Sequence, residues 1–298
     1  MNHIKALKYR LRPFVEADIP AVLKIALRCN YPFSTEDLVS WSKHDPAGIS
    51  VAELDSGELI GLGAVVNHND KTSFGGAFIV HEKYRTMKVF HQLIMSSIQH
   101  AGHRNLAGNC YEDKVGYFSK LGLRVLEKSW IIMEYLGEPR PHLLSNTTPE
   151  GVEIKSLEEN GFESMLFYDR SLAGYDRMFI LKSIIRKRNS KTLIALKNGI
   201  CVGYGIIKRN ISDAALVGPL YADDSHVAEV LLRKLLESMP DAKCLSMATV
   251  STNFAANEIV QRMGTPVFNK LMRLYTKENM VINTSKIFAM FDVDFSPI

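Results

Sequence analysis

The sequence predicts a mixed α/β chain, of the α+β kind, in which one fold is built twice: two tandem domains, each with a mixed, mostly antiparallel sheet flanked by helices. Three observations carry this. Strand and helix patterns follow one another in the same order in both halves. Glycines recur at a fixed spacing. A stretch rich in proline and polar residues, GEPRPHLLSNTTPE at 137–150, separates the halves. The 298 residues suit about two domains, expected at 1–140 and 148–298.

The glycine spacing is 142. Gly57 and Gly199, Gly61 and Gly203, Gly63 and Gly205, Gly76 and Gly218, and Gly122 and Gly264 all share it (203 − 61 = 142). Glycine marks backbone geometry that a Cβ forbids, so one offset held without a gap points to one shared fold.

The elements read in order. Residues 9–13 form a short strand. Residues 16–29 have helical periodicity, with Ile19, Val22, Leu23 and Ala26 on one face. A second helix covers 35–43. VAELDSGELIGLGAVV is a hairpin turning at Asp55-Ser56-Gly57. The apolar run 77–80 is a buried strand, and after a polar, basic turn Phe90, Leu93, Ile94, Ile98 and Ala101 form a helical face. Residues 105–110 are a strand, 113–121 a helix ended by Gly122, and 124–136 a last strand or pair. In the second half LIALKNGICVGYGIIK is again a hairpin, turning at Asn198-Gly199.

Composition excludes several functions. The chain is 46% hydrophobic and 23% charged, ordinary for a soluble globular protein. A net charge of +4 slightly favours anionic ligands and does not call for nucleic acid. Apolar runs fall short of membrane-spanning length, and MNHIKALKYR is not a signal peptide. Cys29, Cys110, Cys201 and Cys244 have no metal or disulfide spacing and read as reduced thiols of a cytoplasmic protein. No cluster has metal-ligand spacing.

A strand that enters a helix through a basic turn aims backbone N–H groups at one point, which suits a pyrophosphate. In GAFIVHEKYRTMKVFHQLI, Val80, Tyr84, Arg85, Val89 and Leu93 fall in the register of V-x-P-x-Y-R-x-x-G-x-G/A-x-x-L. This resembles the acetyl-CoA turn of the GNAT N-acetyltransferase superfamily. Glu82, Lys88 and Phe90 replace its proline and both glycines. The second half is similar to the C-terminal domain of bacterial tandem GNAT proteins through Gly174, Asp176, Arg177 and Leu181, Gly203-Tyr204, Gly218, Pro219 and Ala222, and an aromatic, acidic final strand over IFAMFDVDF at 287–295. A proline inside a central strand belongs at a bulge or an unpaired position.

The resemblance implies an enzyme that uses acetyl-CoA as co-substrate and transfers the acetyl group to a small-molecule amine, without metal, nucleic acid or membrane. It implies that Phe78, Ile79 and Val80 offer strand amides and that Arg85, Thr86, Met87, Lys88, Val89 and Phe90 form the pyrophosphate turn. Phe90 reads equally as the start of the helix core stripe. Asn109 is a further cofactor contact. The family's usual acid is a tyrosine four residues before the glycine ending the next helix; Phe118 stands there, so Tyr117 and Tyr111 are the candidates. Tyr175, Asp176 and Arg177 are candidates for an anionic acceptor, with an Asp176–Arg177 ion pair as the competing reading. The second-half turn carries Asp223 and Asp224 with no nearby cation, so the second half reads as a degenerate copy. A non-catalytic binding or interaction protein built from decayed domains is the alternative.

Overall fold

The computed structural model describes residues 8–298 except 30, 32, 86, 87, 158, 186 and 188. The first half contains β1 (Tyr9–Pro13), α1 (Ile19–Arg28), α2 (Thr35–His44), β2 (Ile49–Leu54), β3 (Leu59–Asn67), β4 (Thr72–Val80), α3 (Val89–Ala101), β5 (Asn105–Cys110), α4 (Val115–Lys120), β6 (Val125–Leu126) and β7 (Ile132–Gly137). The second contains β8 (Val152–Ser156), α5 (Glu159–Ala173), α6 (Met178–Ile185), β9 (Ser190–Lys197), β10 (Ile200–Arg209), β11 (Ala215–Ala222), α7 (Ser225–Glu237), β12 (Leu245–Val250), α8 (Phe254–Arg262), β13 (Val267–Tyr275) and β14 (Ile287–Ala289). The two halves run in the same order, and β4–β5 and β11–β12 are parallel pairs in a sheet otherwise antiparallel. The fold is the tandem, mostly antiparallel α/β architecture that the pattern of elements implied.

The last long strands are exchanged. β13, from the second half, pairs with β5 of the first, and β7, from the first, pairs with β12 of the second. β7 and β13 pair with each other, so the strand order runs continuously β1-β2-β3-β4-β5-β13-β7-β12-β11-β10-β9-β8. The alternation of a strand's side chains is visible on β7: Ile132 faces the core between the halves and Tyr135 the core of the second half. Further bonds cross between halves. Lys208 on β10 pairs with Asp37 on α2, both buried, and Ser40 hydrogen-bonds Ser183 at 2.7 Å.

The repeated glycines have physical causes. Gly57 and Gly199 turn the hairpins at φ +85° and +79°, a region open to glycine at little cost. Gly76 and Gly218 each lie against the backbone of the C-terminal segment. A Cβ on Gly76 would come within 2.1 Å of the Asp294 carbonyl oxygen, and one on Gly218 within 2.5 Å of that of Met290.

That segment departs from expectation. Only Ile287–Ala289 of 287–295 is a strand. The Asp292 carboxylate accepts from the N–H groups of Asp294 and Phe295 at 2.8 and 3.2 Å, which turns the chain out of extended geometry. It then passes through the interior between the halves. Phe295 packs on Phe33 and stacks on Trp41, His68 Nε2 meets the Phe295 carbonyl at 2.9 Å, and Arg273 Nη1 donates to the Pro297 carbonyl at 2.7 Å.

Candidate active site

In each half the parallel pair separates part-way along. β4 and β5 are paired from Thr72 to Gly75 and then diverge. β11 and β12 are paired only from Ala215 to Val217. β4 and β11 are both bulged where they diverge: the register to β3 jumps between Gly76 and Ile79, and that to β10 between Val217 and Leu220. Pro219 thus sits within a bulge, as a proline in a central strand requires.

The two splits differ. In the second half β14 pairs with β11 through Ala289 and Ile287, and Met290 N–H donates to the Ala248 carbonyl of β12 at 2.8 Å. The split is therefore bridged by hydrogen-bonded chain. Pro219, at the bulge, has no N–H to offer a carbonyl. In the first half the residue at the same offset is Ala77 (77 + 142 = 219), which holds φ +42° and keeps its N–H. No strand bridges this split among the described residues. At its base the Asn109 amide donates to the Val293 carbonyl at 2.8 Å, and the Asp294 carboxyl accepts from Ala77 N–H.

The turn before α3 is basic. Arg85 is exposed, with Nε 3.4 Å from the Val80 carbonyl and Nη2 3.6 Å from Cys29 Sγ. Lys88, also exposed, caps α3 in the left-handed conformation at φ +54°. Arg28 reaches His81 nearby, at 2.9 Å. Thr86 and Met87 lie outside the described residues. The first N–H groups of a helix have no partner within it, and beside these cations they favour an anion.

Of the strand residues, Ile79 and Val80 are buried and Phe78 is half-buried, its carbonyl accepting from Tyr31 Oη at 3.0 Å. Val89 is fully buried against Ala52, Val80 and Leu93. The Phe90 ring lies 6.3 Å from that of Phe78 and 6.2 Å from that of Tyr117. Phe90 thus lies in an aromatic row in the groove between α3 and α4, as well as on the helix core stripe. Beneath lies an apolar cavity of about 30 Å³ lined by Gly75, Phe78, Ile94, Asn109 and Phe118.

The proton-donor candidates separate. Tyr117 Oη meets His91 Nδ1 at 3.2 Å, near the surface. Tyr111 is 51% exposed beyond the end of β5, and burial with the charges of Glu134 and Asp294 raises its pKa. Asn109 is engaged on both sides, its Oδ1 accepting from Arg273 Nε at 2.6 Å. Asp176 and Arg177 do not pair with each other. Asp176 pairs with Arg170 and caps α6, while Arg177 is 2% exposed and donates to Asp169 at 3.0 Å. Tyr175 Oη meets His68 Nδ1 at 3.3 Å between the halves.

The expectation that the second turn lacks a nearby cation is corrected. Lys286, 63 residues away in sequence, donates to Asp223 at 2.7 Å, and Tyr168 Oη donates to it at 3.0 Å. Asp224 caps α7 through the N–H groups of His226 and Val227, both at 2.9 Å. Both carboxylates thus serve the fold.

The sequence reading missed Tyr31, Glu134 and Asp294, which gather at the first split. Glu134 lies on β7, two residues from Ile132 and so on the face between the halves. Burial raises its pKa, and a hydrogen bond from Asn269 opposes this. Asp294 is 8% exposed with Oδ2 unpartnered. The one sequence signal was two aspartates inside the apolar run IFAMFDVDF, where burial demands a partner or a purpose.

Comparison with known proteins agrees with this architecture. Residues 165–289 match the family model described as an acetyltransferase (GNAT) domain. No curated protein matches the chain by sequence. Among solved structures, one from Pyrococcus horikoshii, described as a candidate acetyltransferase, has a TM-score of 0.75 at 19% identity and covers 99% of both chains. A tandem GNAT protein from the clavulanic acid biosynthesis pathway has a TM-score of 0.67 at 12% identity, covering 92% of this chain and 100% of its own. A GCN5-related N-acetyltransferase from Sphaerobacter thermophilus has a TM-score of 0.58 at 14% identity, covering 93% of this chain and 98% of its own. At these identities the likeness is one of fold.

Proposed function

From a chain folded as two tandem GNAT units, with a GNAT acetyltransferase domain matched over residues 165–289, we propose an N-acetyltransferase that uses acetyl-CoA and acts on a small amine at the first split. The units are taken as 1–140 and 148–298. The observation that carries the reading is the difference between the splits. The second is bridged by β14 and has Pro219 at its bulge, whereas the first has no bridging strand among the described residues and opens beside a basic turn. Amides at a strand bulge polarise a thioester carbonyl, and cations at a helix start hold the phosphates of the carrier. Phe78, Ile79, Val80, Arg85 and Lys88 supply these contacts, together with Thr86 and Met87. Phe90 must swing aside for the pantetheine arm, with Tyr117 or Tyr111 as proton donor to the leaving thiol. The four cysteines, all unpaired, favour a reducing, cytoplasmic setting.

One observation favours the alternative of a non-catalytic binding protein: the rings of Phe78, Phe90 and Tyr117 fill the α3–α4 groove. Thiol release from acetyl-CoA in the presence of primary amines decides. Turnover that Arg85→Ala depresses through the KM for acetyl-CoA supports the transferase. Acetyl-CoA binding with no turnover supports the alternative.

A further inference from the structure

The first split is completed by residues distant in sequence, and those residues are acidic. Asp294 arrives on the C-terminal segment, and its backbone rests on Gly76 so closely that no side chain fits there. Its carboxyl takes the Ala77 N–H, leaving Oδ2 buried without a partner. Glu134 arrives on β7, the strand exchanged into the other half, on the face that Ile132 shares, and its charge acts on Asp294. Tyr31, bonded to the Phe78 carbonyl, and Tyr111 both feel the Asp294 and Glu134 charges. Two nearby cations are already paired, and a third, Arg273, has Nε and Nη1 bonded while its Nη2 is without a partner. Lys208 pairs with Asp37, Arg177 with Asp169, and Arg273 donates to Asn109 and the Pro297 carbonyl.

Resting on the transferase reading, we propose that Asp294 and Glu134 form the seat of the acceptor and select a cationic primary amine, with Asp294 taking its proton. An ammonium group supplies the hydrogen bonds that Oδ2 lacks and the charge that the two carboxyls share. The step balances. The ammonium gives one proton to Asp294, which later passes it to solvent. The free amine then attacks the thioester carbonyl carbon, the C–S bond breaks, and the second nitrogen proton goes to the departing thiolate. The products are the amide, CoA thiol and one released proton. Burial together with the carboxylates of Asp292, Glu134 and Asp37 pushes the Asp294 pKa well up, against the Ala77 hydrogen bond, which makes this carboxyl a stronger base than an exposed aspartate. The acceptor is therefore cationic, where the sequence pointed to an anionic one through Tyr175, Asp176 and Arg177.

The test uses the full chain with acetyl-CoA and spermidine, tyramine, glycine and glutamate as probes. Spermidine and tyramine should be acetylated in preference to glycine and glutamate. Asp294→Asn, which keeps an acceptor for Ala77 N–H, should lower kcat by about 10²–10⁴-fold with acetyl-CoA binding unchanged, and should flatten the alkaline-rising limb of the pH profile. Glu134→Gln should raise the KM for the cationic amine roughly tenfold. Carbon-13 NMR of labelled aspartate, with the Asp294 signal identified by its loss in the variant, should show that signal titrating above the ordinary range and moving when acetyl-CoA binds. An active Asp294→Asn enzyme with an unchanged pH profile overturns the proposal, and so does an Asp294 signal indifferent to saturating acetyl-CoA. Acetylation confined to glutamate overturns the seat and leaves the transferase reading standing. A chain that neither binds nor turns over acetyl-CoA overturns both.

Discussion

Lys88 stands where the turn needs a left-handed residue, at φ +54°. A side chain there costs about 1–2 kcal/mol relative to glycine. Because Lys88 is exposed and its side chain caps nothing, Lys88→Gly should raise stability by about 1 kcal/mol, read from urea denaturation. The need for glycine at this position was legible in the sequence from the register of the turn. The aromatic row was not, because the approach of Phe90 to Tyr117 depends on how α3 and α4 pack, which neither helix's own periodicity encodes. Gly76 is a second test at this scale. Gly76→Ala drives a Cβ into the Asp294 backbone and should cost about 1–3 kcal/mol through overpacking, with the tail displaced from the bulge.

At the scale of elements, the C-terminal segment joins the two splits, and His68 is one of its clamps. The ring donates from Nε2 to the Phe295 carbonyl and accepts from Tyr175 Oη at Nδ1, so its neutral form is fully bonded. Burial, then the charges of His44 and Arg177, lower its pKa to about 3. A histidine lowered in the folded state gives stability that is fully present above the unfolded value of about 6.5 and is lost as pH falls toward the folded one. Asp292 works the other way. Burial and then Asp37 push it up to about 7, so its share is lost as pH rises. Both chains of a wild-type and His68→Gln pair contain Asp292, so their difference isolates the histidine. That difference should shrink by a few kcal/mol between pH 7 and pH 4 in denaturant titrations. A constant gap would remove His68 from the account. The segment's place was not legible in the sequence. Its composition reads as a strand, and only the backbone bonds of Asp292 turn it.

At the scale of the molecule, the order of strands and helices, both hairpins and the 142-residue repeat were legible because they rest on local periodicity and on glycine geometry. The exchange of β7 and β13 was not, since either strand satisfies the same edge by pattern alone. Its consequence is testable. Residues 1–140 made alone leave β5 without β13 and should aggregate, and making 148–298 alongside should rescue them as a complex in gel filtration. If only the first split holds acetyl-CoA, calorimetric titration of acetyl-CoA into the whole chain should find one site. A charge-assisted bond to phosphate contributes on the order of 1.5–3 kcal/mol. That single site should be weakened roughly tenfold to a hundredfold by Arg85→Ala and left unchanged by Asp223→Ala. Two sites per chain, or one whose affinity survives Arg85→Ala in a folded protein, would contradict it.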